Sequence, residues 1–359
     1  MKLLTIIGAR PQFIKAAAVS RAFSKIKSIN EIIVHTGQHF DKNMSEIFFT
    51  EMDIPKPSYN LNINSLNHGA MTGRMLEGIE EIVLKEKADM LMVYGDTNST
   101  IAGALAAKKL HVPVAHVEAG LRSFNMRMPE EVNRILTDRI SDLLFCPTDK
   151  AIENLTKEGF SYFPSKIVKS GDVMQDAALY YSQKSEKFSN IIATLSLSDF
   201  ILCTIHRAEN TDTKERLNEI INAINEINSI KTVVIPLHPR TRKLISDYGF
   251  TLQAKVIDPV GYFDMIELLK KCALVITDSG GLQKEAFFFE KHCVTLRDET
   301  EWVELTEGGF NKLAGANCNV IVQSVNEMLK KTSNFSVNLY GGGKSSEIIA
   351  EEIANDKAD

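Results

Sequence analysis

Little in the composition marks a specialised chain. Five cysteines among 359 residues (Cys146, Cys203, Cys272, Cys293 and Cys318) are odd in number and include no CxxC pair, which argues against a disulfide framework and the usual zinc spacings. Three of them sit in apolar runs such as FILCTIH and read as small buried hydrophobes in a reducing cytoplasm. A basic excess is missing too: 41 Lys and Arg against 46 Asp and Glu leave a net charge of −5, contrary to the electrostatic footprint of a nucleic-acid surface. No apolar run approaches the roughly 18 residues of a membrane span. The opening MKLLTIIGARPQ meets Arg10 and Pro11 too soon for a signal peptide, so no membrane insertion is expected. After the first apolar run there is neither GxGxxG nor a Walker A lysine pattern, which removes the main support for a nicotinamide or P-loop enzyme.

What is present is a repeating alternation. Short apolar runs (LLTIIGA, EIIVHTG, MLMVYGD, VPVAHVEA, LLFCPT) alternate with segments of helical period, and a second series follows with KIVKSGDV, FILCTIH, TVVIPLH, AKVIDPV, ALVITDS and HCVTLRD. In stretches such as 71–87 and 215–228 the apolar residues recur at three and four, the spacing of one helix face. Strands buried on both faces with helices between them predict parallel sheets, hence an α/β chain of two doubly wound, Rossmann-like domains with a cleft between them. The boundary is placed at 160–175, giving domains 1–170 and 171–343, with 181–190 as the competing boundary. The tail helix within 344–359 is expected to pack back on the first domain.

In open α/β sheets ligands bind beyond the carboxyl ends of the strands, so the residues that follow each apolar run carry the functional reading. GARPQFIK (8–15) offers Arg10 and Lys15, with Pro11 suited to a first helical turn; solvated surface cations are the alternative. YGDTNST and HVEAGLRS place Asp96 and Glu118 at the ends of buried strands, a costly place for a carboxylate. Asp96 could equally cap the next helix. MPEEVNR adds Glu130 and Glu131 at a helix start, where one of them could serve only the dipole. Convergence of three carboxylates would supply a general acid and base.

The second half offers His206 in TIHRAEN and His238 in PLHPRTR, each with an Arg within two residues and each open to a merely structural role. No third His or Cys lies at metal-ligand spacing, so no metal is expected. TDSGGLQKEA (277–286) is the sharpest local signal. A strand ends at Asp278, and Ser279, Gly280 and Gly281 open a helix whose N–H groups suit a phosphate, with Glu285 in reach of ribose hydroxyls. A tight turn without a ligand is the competing reading.

At these motifs, taken in order with RDETEW and YGGG, the sequence resembles the non-hydrolysing UDP-N-acetylglucosamine 2-epimerase family of the glycosyltransferase-B-like superfamily. The resemblance spans essentially the whole chain and implies two Rossmann-like domains, a UDP-sugar substrate, a cytoplasmic homodimer, and no cofactor. It implies that Asp96, Glu118 and Glu130 are acid/base carboxylates and that His206 is an active-site histidine. Substrate binding is implied for Arg10, Lys15, Arg134, His238, the diphosphate loop Ser279, Gly280 and Gly281, and the ribose partner Glu285. One departure stands out: where many members read TERPE this chain reads TEWVE, so Trp302 replaces a substrate-contacting Arg. That wording, with RSFNMRMPEE, is similar to the branch acting on UDP-2,3-diacetamido-2,3-dideoxyglucuronic acid in surface polysaccharide (including lipopolysaccharide) synthesis. Arg127 is then a candidate partner for the extra carboxylate. Regulated members bind a second UDP-sugar near the segment matching Gln38 and His39. A hydrolysing epimerase, a glycosyltransferase and a silent UDP-sugar sensor are the competing functions.

Overall fold

A computed structural model describes residues 1–38 and 56–356. The chain divides into two compact units, Met1–Ala177 with Asn338–Asp359, and Ala178–Val337. The first unit holds a seven-stranded sheet in the order β3-β2-β1-β4-β5-β6-β7. Its strands are β1 (Lys2–Ile7), β2 (Asn30–His35), β3 (Tyr59–Asn60), β4 (Met90–Tyr94), β5 (Val114–Val117), β6 (Leu143–Cys146) and β7 (Lys166–Lys169). The second unit holds six strands in the order β10-β9-β8-β11-β12-β13. These are β8 (Ile201–Thr204), β9 (Val233–Pro236), β10 (Lys255–Ile257), β11 (Leu274–Thr277), β12 (Cys293–Thr295) and β13 (Asn311–Leu313). All recorded pairings are parallel.

The apolar runs are continuous because both faces of each sheet are covered. In β8, Ile201 and Cys203 join a core with Ile220 and Ile224 of the helix Lys214–Ile230, while Leu202 points the other way, into a core with Leu268 and Leu282. In the first unit Leu4, Ile6, Leu91 and Val93 meet Met75 and Ile79 of the helix His68–Glu86. All five cysteines are free thiols. Burial pushes the Cys272 and Cys293 thiols up to about 12, so they behave as hydrophobes.

One assignment of the sequence reading is corrected. The run KIVK does not open the second series. It is the edge strand β7 of the first sheet, in register with β6 from Leu143↔Lys166 to Cys146↔Lys169. Its half-buried Ile167 and Val168 suit an edge, and the second sheet begins only at FILCTIH. The first crossing between the units falls inside the helix Val173–Phe188, and the return crossing, between Val337 and Asn338, lies in the non-helical stretch that precedes the helix Ser345–Asn355. The tail helix Ser345–Asn355 packs on the helix Arg10–Phe23 and buries Ile349, Ala350 and Ile353.

Candidate active site

Each sheet reverses its strand order once, between β1 and β4 and between β8 and β11. Those reversals are where adjacent crossovers leave to opposite faces and open a crevice at the carboxyl ends. In the first unit Gln12, fully buried, spans the gap. Its Oε1 accepts from the amides of Gly8 (2.8 Å) and Ala9 (3.0 Å), and its Nε2 donates to Tyr94 O (2.8 Å) and to the Thr97 and Thr100 hydroxyls (both 3.0 Å). The start of the Arg10–Phe23 helix is thereby tied to the loop that carries Asp96.

Lys15 is one turn into that helix. It is buried and ion-paired to Glu118, the two side chains being 10% and 10% exposed, so it is not a solvated surface cation. Glu118 directly follows β5 with φ +74°, a left-handed conformation that costs a non-glycine residue about 1–3 kcal/mol. Gly95 adjoins this pair: a Cβ there would lie 3.3 Å from both Glu118 Oε2 and Lys15 Nζ. Next along the chain, Asp96 pairs with Arg134, whose side chain is 6% exposed. Asp96 does not cap the following helix. Thr97 does, its hydroxyl accepting from the Thr100 amide, which leaves the Asp96 carboxylate for Arg134. Asn133 donates to the Asp96 carbonyl at 2.9 Å, so the helix Pro129–Ile140 holds both the backbone and the side chain of Asp96.

Of the three carboxylates expected to converge, Glu130 is exposed, and Glu131 is the one that turns inward. Glu131 accepts from Ser123 N, Ser123 Oγ and Phe124 N, each at 2.9 Å, and lies 3.2 Å from Arg134 Nη1. Both glutamates are within one helical turn of Arg134, but neighbouring helical residues face directions about 100° apart, and it is Glu131 that faces the Ser123–Phe124 segment. Arg10 begins its helix, but its side chain lies outside the described residues. Gln38 accepts from Ser99 N (3.1 Å) and Ser99 Oγ (2.8 Å), and His39 lies outside the described residues. Arg127 is exposed, its amide donating to Asn125 Oδ1 at 3.1 Å.

In the second unit the corresponding reversal joins His206 to Asp278. Fully buried Asp278 accepts from the amides of His206 (3.0 Å) and Arg207 (3.0 Å) and from Asn210 Nδ2 (3.2 Å), and lies 3.1 Å from His206 Nδ1. Burial raises its pKa, but the hydrogen bond and charge of His206 and the backbone amides outweigh it, holding the carboxyl below its ordinary range. The half-exposed imidazole is therefore aimed by a buried anion. Ser279 caps the helix Gly280–Phe288, its hydroxyl accepting from Leu282 N. At Gly281 a Cβ would meet nothing within 4 Å, whereas at Gly280 it would lie 2.5 Å from Glu301 Oε1. The open face of this helix start is at Gly281. Glu285 is buried and accepts from the Tyr262 hydroxyl at 3.1 Å. His238 is exposed and caps the helix Pro239–Asp247 by accepting from Arg240 N at 3.2 Å. Trp302 is buried, with Lys284 Nζ 3.9 Å from its ring centroid. Among the described residues no cluster of three His, Cys, Asp or Glu could hold a metal ion.

No motif singles out Gln12 or Asn133, and none shows the partners of Glu131 and Asp278, yet all four organise the site. The polar residues interrupting otherwise apolar segments were their signal, but which groups they meet depends on chain segments up to 88 residues away.

The model of the family described as UDP-N-acetylglucosamine 2-epimerase matches residues 21–354. The chain is 60% identical, over 99% of each sequence, to a UDP-2,3-diacetamido-2,3-dideoxy-D-glucuronate 2-epimerase of Pseudomonas aeruginosa. It superposes on the Methanocaldococcus jannaschii UDP-GlcNAc 2-epimerase, solved in complex with UDP-GlcNAc and UDP, with TM-score 0.91 and 45% identity over 99% of both chains. The Neisseria meningitidis UDP-GlcNAc 2-epimerase bound to UDP-GlcNAc gives TM-score 0.89 at 33% identity, over 99% of this chain and 100% of that one. With carboxylates at one strand reversal, a capped helix start at the other, and likeness along its full length, the chain belongs to the UDP-N-acetylglucosamine 2-epimerase family.

Proposed function

We propose that this protein is a non-hydrolysing UDP-sugar 2-epimerase whose substrate is UDP-2,3-diacetamido-2,3-dideoxyglucuronate, converted to its manno epimer. The observation that carries the reading is the 60% identity, over 99% of both chains, to the Pseudomonas aeruginosa enzyme of that name. UDP-N-acetylglucosamine is the second candidate, favoured by the likeness to the Methanocaldococcus jannaschii enzyme. On the same reading the protein acts as a cytoplasmic homodimer that serves surface polysaccharide synthesis.

The chemistry follows from the sugar. The C2 hydrogen is not next to a carbonyl, so its simple removal would leave an unstabilised carbanion. Elimination avoids this: UDP leaves C1 with the bonding electrons while a carboxylate takes the C2 proton, giving a glycal. A proton then arrives at the opposite face of C2, and a phosphate oxygen of UDP adds back to C1. Nothing is oxidised or consumed. Asp96 and Glu118 are assigned as the principal proton-transfer pair, supported by their place at one strand reversal beside the buried cations Arg134 and Lys15. Glu130 is kept in the site as the resemblance implies. His206, backed by Asp278, is assigned to the departing diphosphate together with the helix start at Ser279–Gly281.

Incubation of the pure protein with each of the two UDP-sugars in deuterated water tests this reading. The expected outcome is epimerised UDP-sugar carrying deuterium at C2, with the uronate turned over faster. Asp96→Asn and Glu118→Gln should abolish turnover and leave UDP affinity close to native. Release of free sugar would point to a hydrolysing enzyme, and no change without an acceptor to a transferase or a sensor. Faster turnover of UDP-N-acetylglucosamine would replace the uronate assignment.

A further inference from the structure

His116 and Asp138 have no part in the roles assigned above, and both are fully buried. The strand β5 reads Val, Ala, His, Val, so His116 is an ionisable ring in the middle of a parallel sheet. Both of its nitrogens face acceptors: Nδ1 lies 2.7 Å from Asp138 Oδ1, and Nε2 lies 2.7 Å from the carbonyl oxygen of Gly95. A carbonyl oxygen can only accept, so Nε2 carries a proton. Through Oδ2, Asp138 accepts from Gly120 N (3.1 Å) and Arg122 Nη1 (2.7 Å); burial raises its pKa, but His116 and Arg122 outweigh this and hold the carboxyl below its ordinary range, so the proton of the His116–Asp138 contact sits on Nδ1.

The neighbouring charges are compatible with that state. Arg122 also holds Glu158 at 2.7 and 2.9 Å, and the neighbouring Cys146 thiol is pushed up by burial and stays neutral. With an imidazolium, the set His116, Arg122, Asp138 and Glu158 carries two positive and two negative charges. Glu158 is 26% exposed and shares its charge with solvent, so the wholly enclosed groups are Asp138, Arg122 and the His116 ring.

The ring and its carboxylate grip the two loops that matter. Gly95, at φ +63°, immediately precedes Asp96, and Gly120 follows Glu118 by two residues. We propose that His116, as a buried imidazolium, is a positioning residue that clamps the Gly95 carbonyl and, through Asp138, the Gly120 amide, fixing the spacing of Asp96 and Glu118. This rests on the reading of those carboxylates as the proton-transfer pair.

Nitrogen NMR of the native protein labelled at histidine is the first test. At neutral pH one buried ring should show two protonated nitrogens, and a bare ring nitrogen at His116 would overturn the proposal whatever the enzyme does. Two variants then separate positioning from support. In His116→Asn the amide can replace only Nδ1, and in His116→Gln only Nε2, the donor to Gly95. For His116→Asn kcat should fall on the order of 100-fold with KM and UDP affinity near native, as for a misplaced reacting group. His116→Gln should recover much of that loss. Native kcat in His116→Asn, or equal losses in both variants that track thermal stability, would overturn the clamp. The NMR measurement decides the point even if a variant fails to fold. A native protein that epimerises no UDP-sugar would instead refute the proposed function, a failure visible before any variant is made.

Discussion

A left-handed backbone at Glu118 and a buried lysine at Lys15 are each unfavourable alone, and here they occur as a pair. Such arrangements persist where the surrounding structure over-determines them, commonly at sites of function. The same logic distinguishes the two glycines at the second-unit helix start. Gly281→Val places its side chain in open space at the capped helix N-terminus and should weaken UDP binding with little change in thermal stability. Gly280→Ala must displace Glu301, which is ion-paired to Arg297 at 2.9 Å, and should cost about 1–3 kcal/mol of stability. Calorimetric titration with UDP, paired with thermal denaturation of both variants, checks this division. Stronger UDP loss from Gly280→Ala at unchanged stability would reverse it.

At the level of elements, the tail helix Ser345–Asn355 depends on another helix for its N-terminal cap. Asp176, in the helix Val173–Phe188, accepts from Ser345 N (3.1 Å), Ser346 N (2.7 Å) and Ser346 Oγ (2.5 Å). The tail's own N-cap, Lys344, supplies no side-chain bond. Asp176→Ala leaves buried amides without their acceptor and should cost about 1–3 kcal/mol. Because the tail packs on the Arg10–Phe23 helix, which carries Lys15, hydrogen exchange should quicken in both helices. Urea unfolding and exchange mass spectrometry read the two effects. Acceleration confined to the tail would show that the helix bearing Lys15 is held without it.

For the whole molecule, each unit contains a buried aspartate held below its ordinary range. At both Asp138 and Asp278 burial raises the pKa, and histidine and other partners more than reverse this: His116 and Arg122 for the first, His206 and backbone amides for the second. A carboxyl depressed in the fold contributes stability above its unfolded pKa of about 3.9, and that stability is lost as pH falls through the lower folded value. The contribution of each of these two aspartates should therefore be kept down to about pH 5 and be lost below about pH 4. Asp278→Asn should lower the stability of the second unit by about 2 kcal/mol at neutral pH and flatten its acid slope. The single tryptophan, Trp302, lies in that unit, so its fluorescence follows that transition alone. An unchanged acid slope in Asp278→Asn would remove Asp278 from the cause.

What local sequence determined here is the alternation of buried strands with amphipathic helices, because a strand covered on both faces must be apolar throughout and a helix on a sheet must repeat at three and four. It also determined that the polar residues lie just past the strands. The pairings were decided by tertiary structure. Glu130 and Glu131 are indistinguishable in MPEEVNR until the fold turns Glu131 toward the Ser123 and Phe124 amides, and KIVK looks like the start of a new sheet until its hydrogen bonds go to β6. His238 and His206 have similar sequence surroundings, yet one caps a helix and the other faces a buried aspartate from a strand 72 residues on. Periodicity is written in neighbouring residues, whereas the partner of a buried charge is set by whichever strands the crossovers bring side by side.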